Sequence, residues 1–472
     1  MDSGTGPGPD HLFPRFHVRP PRGYLNDPNG PVVVDGLVHL YYQYRYTLDL
    51  ESPVLWGHAT SPDLVRWEYH RPAIGPHPLA GDRDGCWSGN TVVDPAGGVR
   101  AFYSGRVAGQ RLQETLSAVS FDRGHSFGPP HPLVPDPGVE EQIVELRDPF
   151  VWRDDDRWRM ALGAGTTSGT AMIRLYTSTD LEDWPYAGKL AWMPRTRTAT
   201  WDSGVMWECP QIVLHPRGPV AVVGSYAPLD GVMNALSFAV PTGTDREVAA
   251  TSLHLVDHGP NFYAASVLND PDGGAVVWGW ATEGRAPQWC AEAGWSGVIT
   301  LPRRVDVRPD GSLASSPVRA LATLRTEPAG REVRGRLDGL GAQLEFLVEH
   351  EAERLGAYAV RLGFGPDEFL EIVVDPTAAE VRVDRDRASR DPRAHGGVFT
   401  VPGLRELSDR GSQIRGFVDG SILELFLPGG RVATVRCYPT GSPPWSVQVS
   451  GAPSGVRTWV WSLASEGAGP AV

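Results

Sequence analysis

Apolar and polar residues alternate along most of this chain in short runs with a period of two, the pattern of strands that bury one face. Gly36-Leu-Val-His-Leu-Tyr-Tyr-Gln-Tyr44, Gly273-Gly-Ala-Val-Val-Trp-Gly-Trp-Ala281 and Ser421-Ile-Leu-Glu-Leu-Phe-Leu427 are examples. Between such runs lie Asp-Pro and Gly-rich clusters: Asp27-Pro-Asn-Gly30, Asp94-Pro-Ala-Gly-Gly98, Asp270-Pro-Asp-Gly-Gly274 and Arg308-Pro-Asp-Gly311. These read as turns. Long stretches with a helical period are nearly absent, so the pattern predicts an all-β protein.

The pattern also repeats. Ser61-Pro-Asp63-Leu-Val-Arg-Trp67, Ser120-Phe-Asp122-Arg-Gly-His-Ser-Phe127 and Ser178-Thr-Asp180-Leu-Glu-Asp-Trp184 each follow a strand-like run and lead from a polar turn into an aromatic. Their serines stand 59 and then 58 positions apart. A unit of about sixty residues made of short strands suits one four-stranded propeller blade, and about five such units end near residue 315. Beyond that point the repeat stops, and alternating runs continue from about residue 335 in the manner of a β-sandwich. The expected organisation is therefore a five-bladed β-propeller over 12–315, a linker over 316–334 and a C-terminal β-sandwich over 335–472.

Charge narrows the range of partners. With 43 basic and 56 acidic side chains the formal net charge is −13, and there is no run of Lys and Arg. That argues against nucleic acid and against an anionic membrane as partners. No apolar stretch approaches the length of a membrane span, and the N-terminus shows no signal-peptide pattern. Cys86, Cys209, Cys290 and Cys437 are few and widely separated. The expectation is a reduced cytoplasmic setting, or secretion if a leader has been removed. The histidines, His258 among them, show no paired spacing, so they read as structural or as sugar hydrogen-bonders rather than metal ligands. The pattern leaves the oligomeric state open.

Three acids fall nearly in step with the repeat. Asp27, Asp148 and Glu208 are separated by 121 and 60 residues, close to two units and one. Equivalent positions in a propeller sit at equivalent radii, so the three are expected to surround one axial pocket. Asp27 taken alone is also compatible with a solvated turn, Asp148 in Arg147-Asp-Pro149 with an ion-paired loop acid, and Glu208 in Met206-Trp-Glu-Cys-Pro210 with an exposed strand residue. Among apolar neighbours, partial burial of Glu208 would raise its pKa, as a general acid needs. Together the acids meet the requirement for retaining glycoside hydrolysis: one carboxylate as nucleophile and one protonated acid beside it.

The ordered motifs resemble those of glycoside hydrolase family 32, the invertase, inulinase and levanase group. They begin with His17-Val-Arg-Pro-Pro-Arg-Gly-Tyr-Leu-Asn-Asp-Pro-Asn-Gly30 and continue through Tyr42-Gln-Tyr44, Trp56-Gly-His-Ala59, Cys86-Trp-Ser-Gly89 and Phe102-Tyr-Ser-Gly105. Arg147-Asp-Pro149, Glu208-Cys-Pro210, Asp257-His-Gly-Pro-Asn-Phe-Tyr-Ala264, Trp278-Gly-Trp280 and Gly294-Trp-Ser-Gly-Val-Ile-Thr-Leu-Pro-Arg303 complete the first part. Val383-Asp-Arg-Asp-Arg387 and Asp419-Gly-Ser-Ile-Leu-Glu-Leu-Phe426 look like strands of that family's sandwich. The resemblance implies cleavage of terminal β-fructosidic bonds in sucrose, fructo-oligosaccharides or fructans through a fructosyl-enzyme. It makes Asp27 the nucleophile, Glu208 the acid/base and Asp148 the transition-state stabiliser. It makes Asn26, Gln43, Trp56, Trp87, Ser88 and Arg147 walls of the fructosyl pocket, although blade packing is an alternative for both tryptophans. No metal or organic cofactor is implied. Tyr24, Arg45-Tyr46 and Asn90 depart from the usual Trp, Asn-Pro and Ser, which bears on subsite shape. A fructosyltransferase using the same site, or a non-catalytic sugar-binding homologue, are the alternative readings.

Overall fold

The computed structural model describes residues 10–20, 22–110, 112–133, 142–154, 156–240, 249–270, 274–353 and 355–464. Its first part forms five antiparallel meander sheets arranged as a propeller. Their innermost strands are Gly23–Val34, Gly85–Val93, Ile143–Asp154, Met206–Val213 and Tyr263–Asn269. Each packs against its neighbours' inner strands around the axis. The ring is closed by Trp295–Ser296, from a loop of the fifth blade, which pairs in parallel with the start of the first blade's inner strand.

The three Ser-x-Asp repeats occupy one structural position. Each serine ends the third strand of its blade, at Ser61, Ser120 and Ser178. Each Oγ donates to the aspartate two residues on, at 3.2, 2.8 and 3.0 Å. The fourth residue of each motif, Leu64, Arg123 or Leu181, has a left-handed φ of 70°, 62° or 69°. The motif is thus a tight turn stabilised by local side-chain bonds that compete with further strand.

The second part is a sandwich of two six-stranded sheets. Its strands bury alternate residues, as in Tyr358–Gly363 and Phe369–Asp375. Phe346, Ile372 and Trp445 belong to the core between the sheets. The expected linker, 316–334, holds the end of strand Leu313–Pro317, the 3-10 turn Arg319–Leu324 and the short sandwich strand Arg331–Glu332. The expected end of the sandwich, at 472, lies outside the described residues, as do the extreme N-terminus and most of the Asp270–Gly274 turn.

A buried ionic seam joins the two parts. Arg303 of the propeller donates to Asp257 at 2.7 Å and to Glu424 of the sandwich at 2.6 Å, all three almost wholly buried. Asp419 accepts the backbone N–H groups of Arg15, Phe16 and His17. Breaking one partner of such a network would strand a buried charge, so the sandwich braces the propeller. No helix among the described residues is long and apolar enough to cross a membrane.

Candidate active site

Every inner strand carries an irregularity at the same height. Pairing with the second strand slips between Leu25 and Pro28, Cys86 and Gly89, Arg147 and Phe150, Glu208 and Gln211, and Tyr263 and Ser266. Such bulges bend a strand and re-aim its side chains. Proline, which has no N–H to pair, is tolerated there and on edge strands, and Pro28, Pro149 and Pro210 stand at three of them. Asp27-Pro-Asn-Gly30 is therefore not the turn expected from its sequence but a bulged strand. Gly30 has a φ of 44°, and the second blade approaches it so closely that a Cβ would lie 2.8 Å from the Thr91 nitrogen.

The three acids converge on one cleft of about 320 Å³, lined also by Tyr24, Asn26, Gln43, Arg45, Trp87, Arg147, Tyr226, Tyr263 and Trp280. The blade register is real but staggered among them. Asp27 is the second bulged residue of its strand, Asp148 the first, and Glu208 immediately precedes its bulge. Bonds between neighbouring blades run from i to i+61: Ser88 to Asp27, Cys209 to Asp148, and Arg147 to Glu208.

Each carboxylate has its own partners. Ser88 Oγ donates to Asp27 Oδ2 at 2.6 Å and Gln43 Nε2 at 3.1 Å, while Asn26 Nδ2 donates to Oδ1 at 3.1 Å. Asp148 Oδ2 accepts the Cys209 backbone N–H at 3.0 Å, and its own N–H is held by Ser104 Oγ at 2.7 Å. Glu208 is gripped from both sides. Arg147 donates to its Oε1 through Nη2 at 2.6 Å and Nε at 3.2 Å, and the Tyr263 hydroxyl donates to Oε2 at 2.7 Å. The apolar setting expected for Glu208 is thus replaced at the carboxylate itself by a guanidinium and a phenol.

Burial sets the electrostatics. Asp27 is pushed up to about 6, first by desolvation and then by the charge of Glu208, against the pull of its Ser88 bond. Asp148 is pushed up to about 7, again by burial, with Arg147 pulling down and Glu208 adding to the rise. Burial also drives the Tyr263 phenol well above its ordinary value, so it remains a proton donor to Glu208. The Cys209 thiol, 3.7 Å from Asp27 and 3.6 Å from Asp148, is likewise pushed well up and is no nucleophile. Two raised carboxyls beside an arginine-bound one suit acid–base chemistry in a partly dry cleft.

Asn26, Gln43, Trp87 and Arg147 line the cleft, and Ser88 touches it through Asp27. Trp56 does not. It is fully buried against Tyr41 and Tyr103, and its Nε1 donates to the Trp87 carbonyl at 2.9 Å. It packs the blade and positions the strand bearing Trp87 and Ser88. Tyr263, Tyr226 and Trp280 complete the walls without having been singled out from the sequence, although Tyr263 and Trp280 lie inside quoted motifs. Arg45 lies over the Tyr24 ring at 5.6 Å, so the two departures from the family pattern meet at the cleft. Asn90, the third, is buried and exchanges two hydrogen bonds with the backbone of Val151.

The histidines take two kinds of position. His258 lies by the seam, its N–H bonded to the Val432 carbonyl at 2.8 Å. His39, His58, His70 and His125 cluster between the first and second blades, His39 stacked on His58 and His125 edge-on to His58 and His70.

A five-bladed propeller with acids from three inner strands converging on an aromatic-walled cleft defines a carbohydrate-cleaving enzyme. Residues 17–317 match the Glycosyl hydrolases family 32 N-terminal domain, and residues 318–455 the Glycosyl hydrolases family 32 C terminal. The chain belongs to glycosyl hydrolase family 32. It is 31% identical to a sucrose-6-phosphate hydrolase of Escherichia coli, over 84% of this chain and 91% of that one. It is 29% identical to a raffinose invertase of the same organism, over 90% of each. Among solved structures, the sucrose-6-phosphate hydrolase from Lactobacillus gasseri superposes with a TM-score of 0.79 at 23% identity, covering 97% of this chain and 94% of that one.

Proposed function

We propose that this enzyme cleaves terminal β-fructosidic bonds with retention, Asp27 attacking the anomeric carbon while Glu208 protonates the departing glycosidic oxygen. A fructosyl ester on Asp27 results. Glu208, now a carboxylate, takes a proton from water, which attacks the same carbon and releases fructose with Asp27 regenerated. The observation that carries this reading is the division of partners. Amide and hydroxyl donors hold Asp27 and leave it poised for attack, whereas Arg147 and Tyr263 fix the orientation of Glu208. Trp87, Tyr226 and Trp280 offer aromatic faces to the apolar C–H patches of a sugar.

Asp148 is assigned to the ring hydroxyls as positive charge develops on the fructosyl ring. Asp148→Asn is expected to lower kcat by about 10²–10³-fold while KM changes little. Stability should move the other way. A carboxyl raised from 3.8 to about 7 on folding costs nothing below pH 3.8, and its cost grows until it is complete above pH 7. The Asn variant should therefore match the parent in acid and exceed it at pH 8 by up to about 4 kcal/mol. Denaturant titrations at the two pH values check this; equal stabilities at pH 8 would contradict the assigned burial cost.

The substrate follows from incubation with sucrose, sucrose-6-phosphate, kestose-type oligosaccharides, inulin and levan, scoring released fructose and chain-extended products. Fructose release is the expected result. Arg45 places a cation at the cleft, so a marked preference for sucrose-6-phosphate would assign it to the phosphate. Chain extension at high sucrose would instead favour transfer, and silence on all five would reject the reading. A reduced cytoplasmic setting is part of the proposal, supported by four buried, unpaired cysteines.

A further inference from the structure

We propose that His58, His70 and His125 form a binding site for a borderline divalent transition-metal ion such as Zn²⁺, stapling the first blade to the second outside the catalytic cleft. One ring nitrogen from each histidine lies within 4.8 Å of the others. They come from three separate places: His58 from strand Leu55–Ser61, His70 from strand Glu68–Ile74, and His125 from the second blade's Ser120–Phe127 turn. Packing alone does not require imidazoles here, since Phe127 fills the same layer with no polar side-chain atom and Tyr41 satisfies its hydroxyl on the Gly124 carbonyl at 2.7 Å.

The hydrogen bonds around the cluster leave a ligand atom free. His58 Nε2 is 3.0 Å from His39 Nδ1, while His58 Nδ1, on a wholly buried side chain, has no hydrogen-bond partner. His70 Nε2 is 2.8 Å from Thr60 Oγ1. With each Nε2 carrying the proton in these bonds, both Nδ1 atoms present lone pairs, as for a metal-ligating histidine whose other ring nitrogen is engaged by a neighbour. His39 and Thr60 are then the groups that fix ring orientation. An unpartnered buried nitrogen costs free energy that a metal bond would remove.

The ion's chemistry follows from the donors. Three neutral nitrogens suit Zn²⁺, Co²⁺, Ni²⁺ or Cu²⁺ far better than Ca²⁺ or Mg²⁺, which demand oxygen. Zn–N bonds of about 2 Å in a tetrahedral set separate the nitrogens by roughly 3.4 Å, so closure from within 4.8 Å needs a contraction of up to roughly 1.4 Å. His125 is exposed and can supply that movement, and it marks the path of entry. Glu68 and Asp122 lie near enough to His70 and His39 to add attraction for a cation. The fourth position falls to water.

Occupancy would tie two strands of the first blade to the second, and His39, hydrogen-bonded to His58, sits on the strand that also carries Gln43, a partner of Asp27. The test uses untagged full-length protein, stripped with a chelator and then equilibrated with micromolar ZnCl₂ before measurement of bound metal. One equivalent per chain is expected in the parent. His125→Ala and His70→Ala, each altering a side chain outside the cleft, should weaken binding at least about tenfold without altering fructoside hydrolysis by the metal-free protein. Co²⁺ should give tetrahedral visible absorption bands in the parent that both variants lack, and Zn²⁺ should raise the parent's melting temperature but not theirs. Zinc bound equally by parent and variants, or not bound by the parent, would overturn the proposal.

Discussion

Asp27→Ala is expected to lose turnover by about four orders of magnitude or more with its fold intact, because it deletes the atom that forms the fructosyl ester. The fold should survive for a stated reason. Gln43 Nε2 and Asn26 Nδ2, which donate to Asp27, keep Ser88 Oγ and Gln43 Oε1 as acceptors, so only the Ser88 hydroxyl loses its acceptor. Moreover the deleted carboxylate is one whose charge burial opposes, and its loss should not destabilise. A small anion such as azide fits the space vacated and should restore fructosyl transfer from substrates with good leaving groups, giving product of inverted configuration. The parent's pH profile carries the same assignment. Attack requires ionised Asp27, so kcat/KM should fall about tenfold per unit as pH drops below about 6, the value to which burial raises this acid. Near-parental turnover in the variant, or rescue with retained configuration, would remove Asp27 from the nucleophile's role.

The propeller was legible in the sequence because its signals are local. The Ser-x-Asp turns repeat since each bonds only to itself, and the sandwich alternates since each strand buries one face. The acids were legible for a less direct reason. Asp27-Pro28, Asp148-Pro149 and Glu208-Cys209-Pro210 pair a carboxylate with a proline on an inner edge strand, where a missing N–H marks a bulge. Read as a turn, Asp27-Pro-Asn-Gly30 pointed to a residue that does line the cleft, but on a different backbone. Only tertiary pairing distinguishes a Gly that reverses the chain from one, like Gly30, that admits a neighbouring blade.

What could not be read was anything decided by which face of a strand meets which neighbour. Trp56 and Trp87 have equal claims as aromatics, yet one is sealed between blades and the other faces the cleft. Tyr263 is 55 residues from Glu208, and no spacing rule links a phenol to an acid on the next blade. The histidine cluster is hidden for the same reason. His39, His58, His70 and His125 have no shared interval, because they arrive from three strands of one blade and a turn of another. Metal-ligand spacing rules presuppose a single helix or hairpin, and a propeller seam satisfies neither.

Glu208→Ala should lower turnover on sucrose by about 10²–10⁴-fold, and the size of the loss should depend on the leaving group, which separates this acid from Asp27. A sugar alkoxide leaves poorly without a proton, so formation of the fructosyl ester becomes slow. A substrate such as fructosyl fluoride, whose leaving group needs little protonation, should form the ester at a rate much nearer the parent's. Hydrolysis of that ester then lacks a base to activate water, so the intermediate should accumulate and be visible by intact-protein mass as one added fructosyl unit. Tyr263→Phe is the companion change: it removes the hydroxyl that holds Oε2 at 2.7 Å but leaves the carboxylate and its Arg147 bond in place. Its effect should be smaller and should also fall hardest on poor leaving groups, since a less well oriented acid transfers its proton less well. An equal loss on sucrose and on the fluoride in Glu208→Ala, with no trapped ester, would mean that Glu208 binds the ring rather than moving the proton.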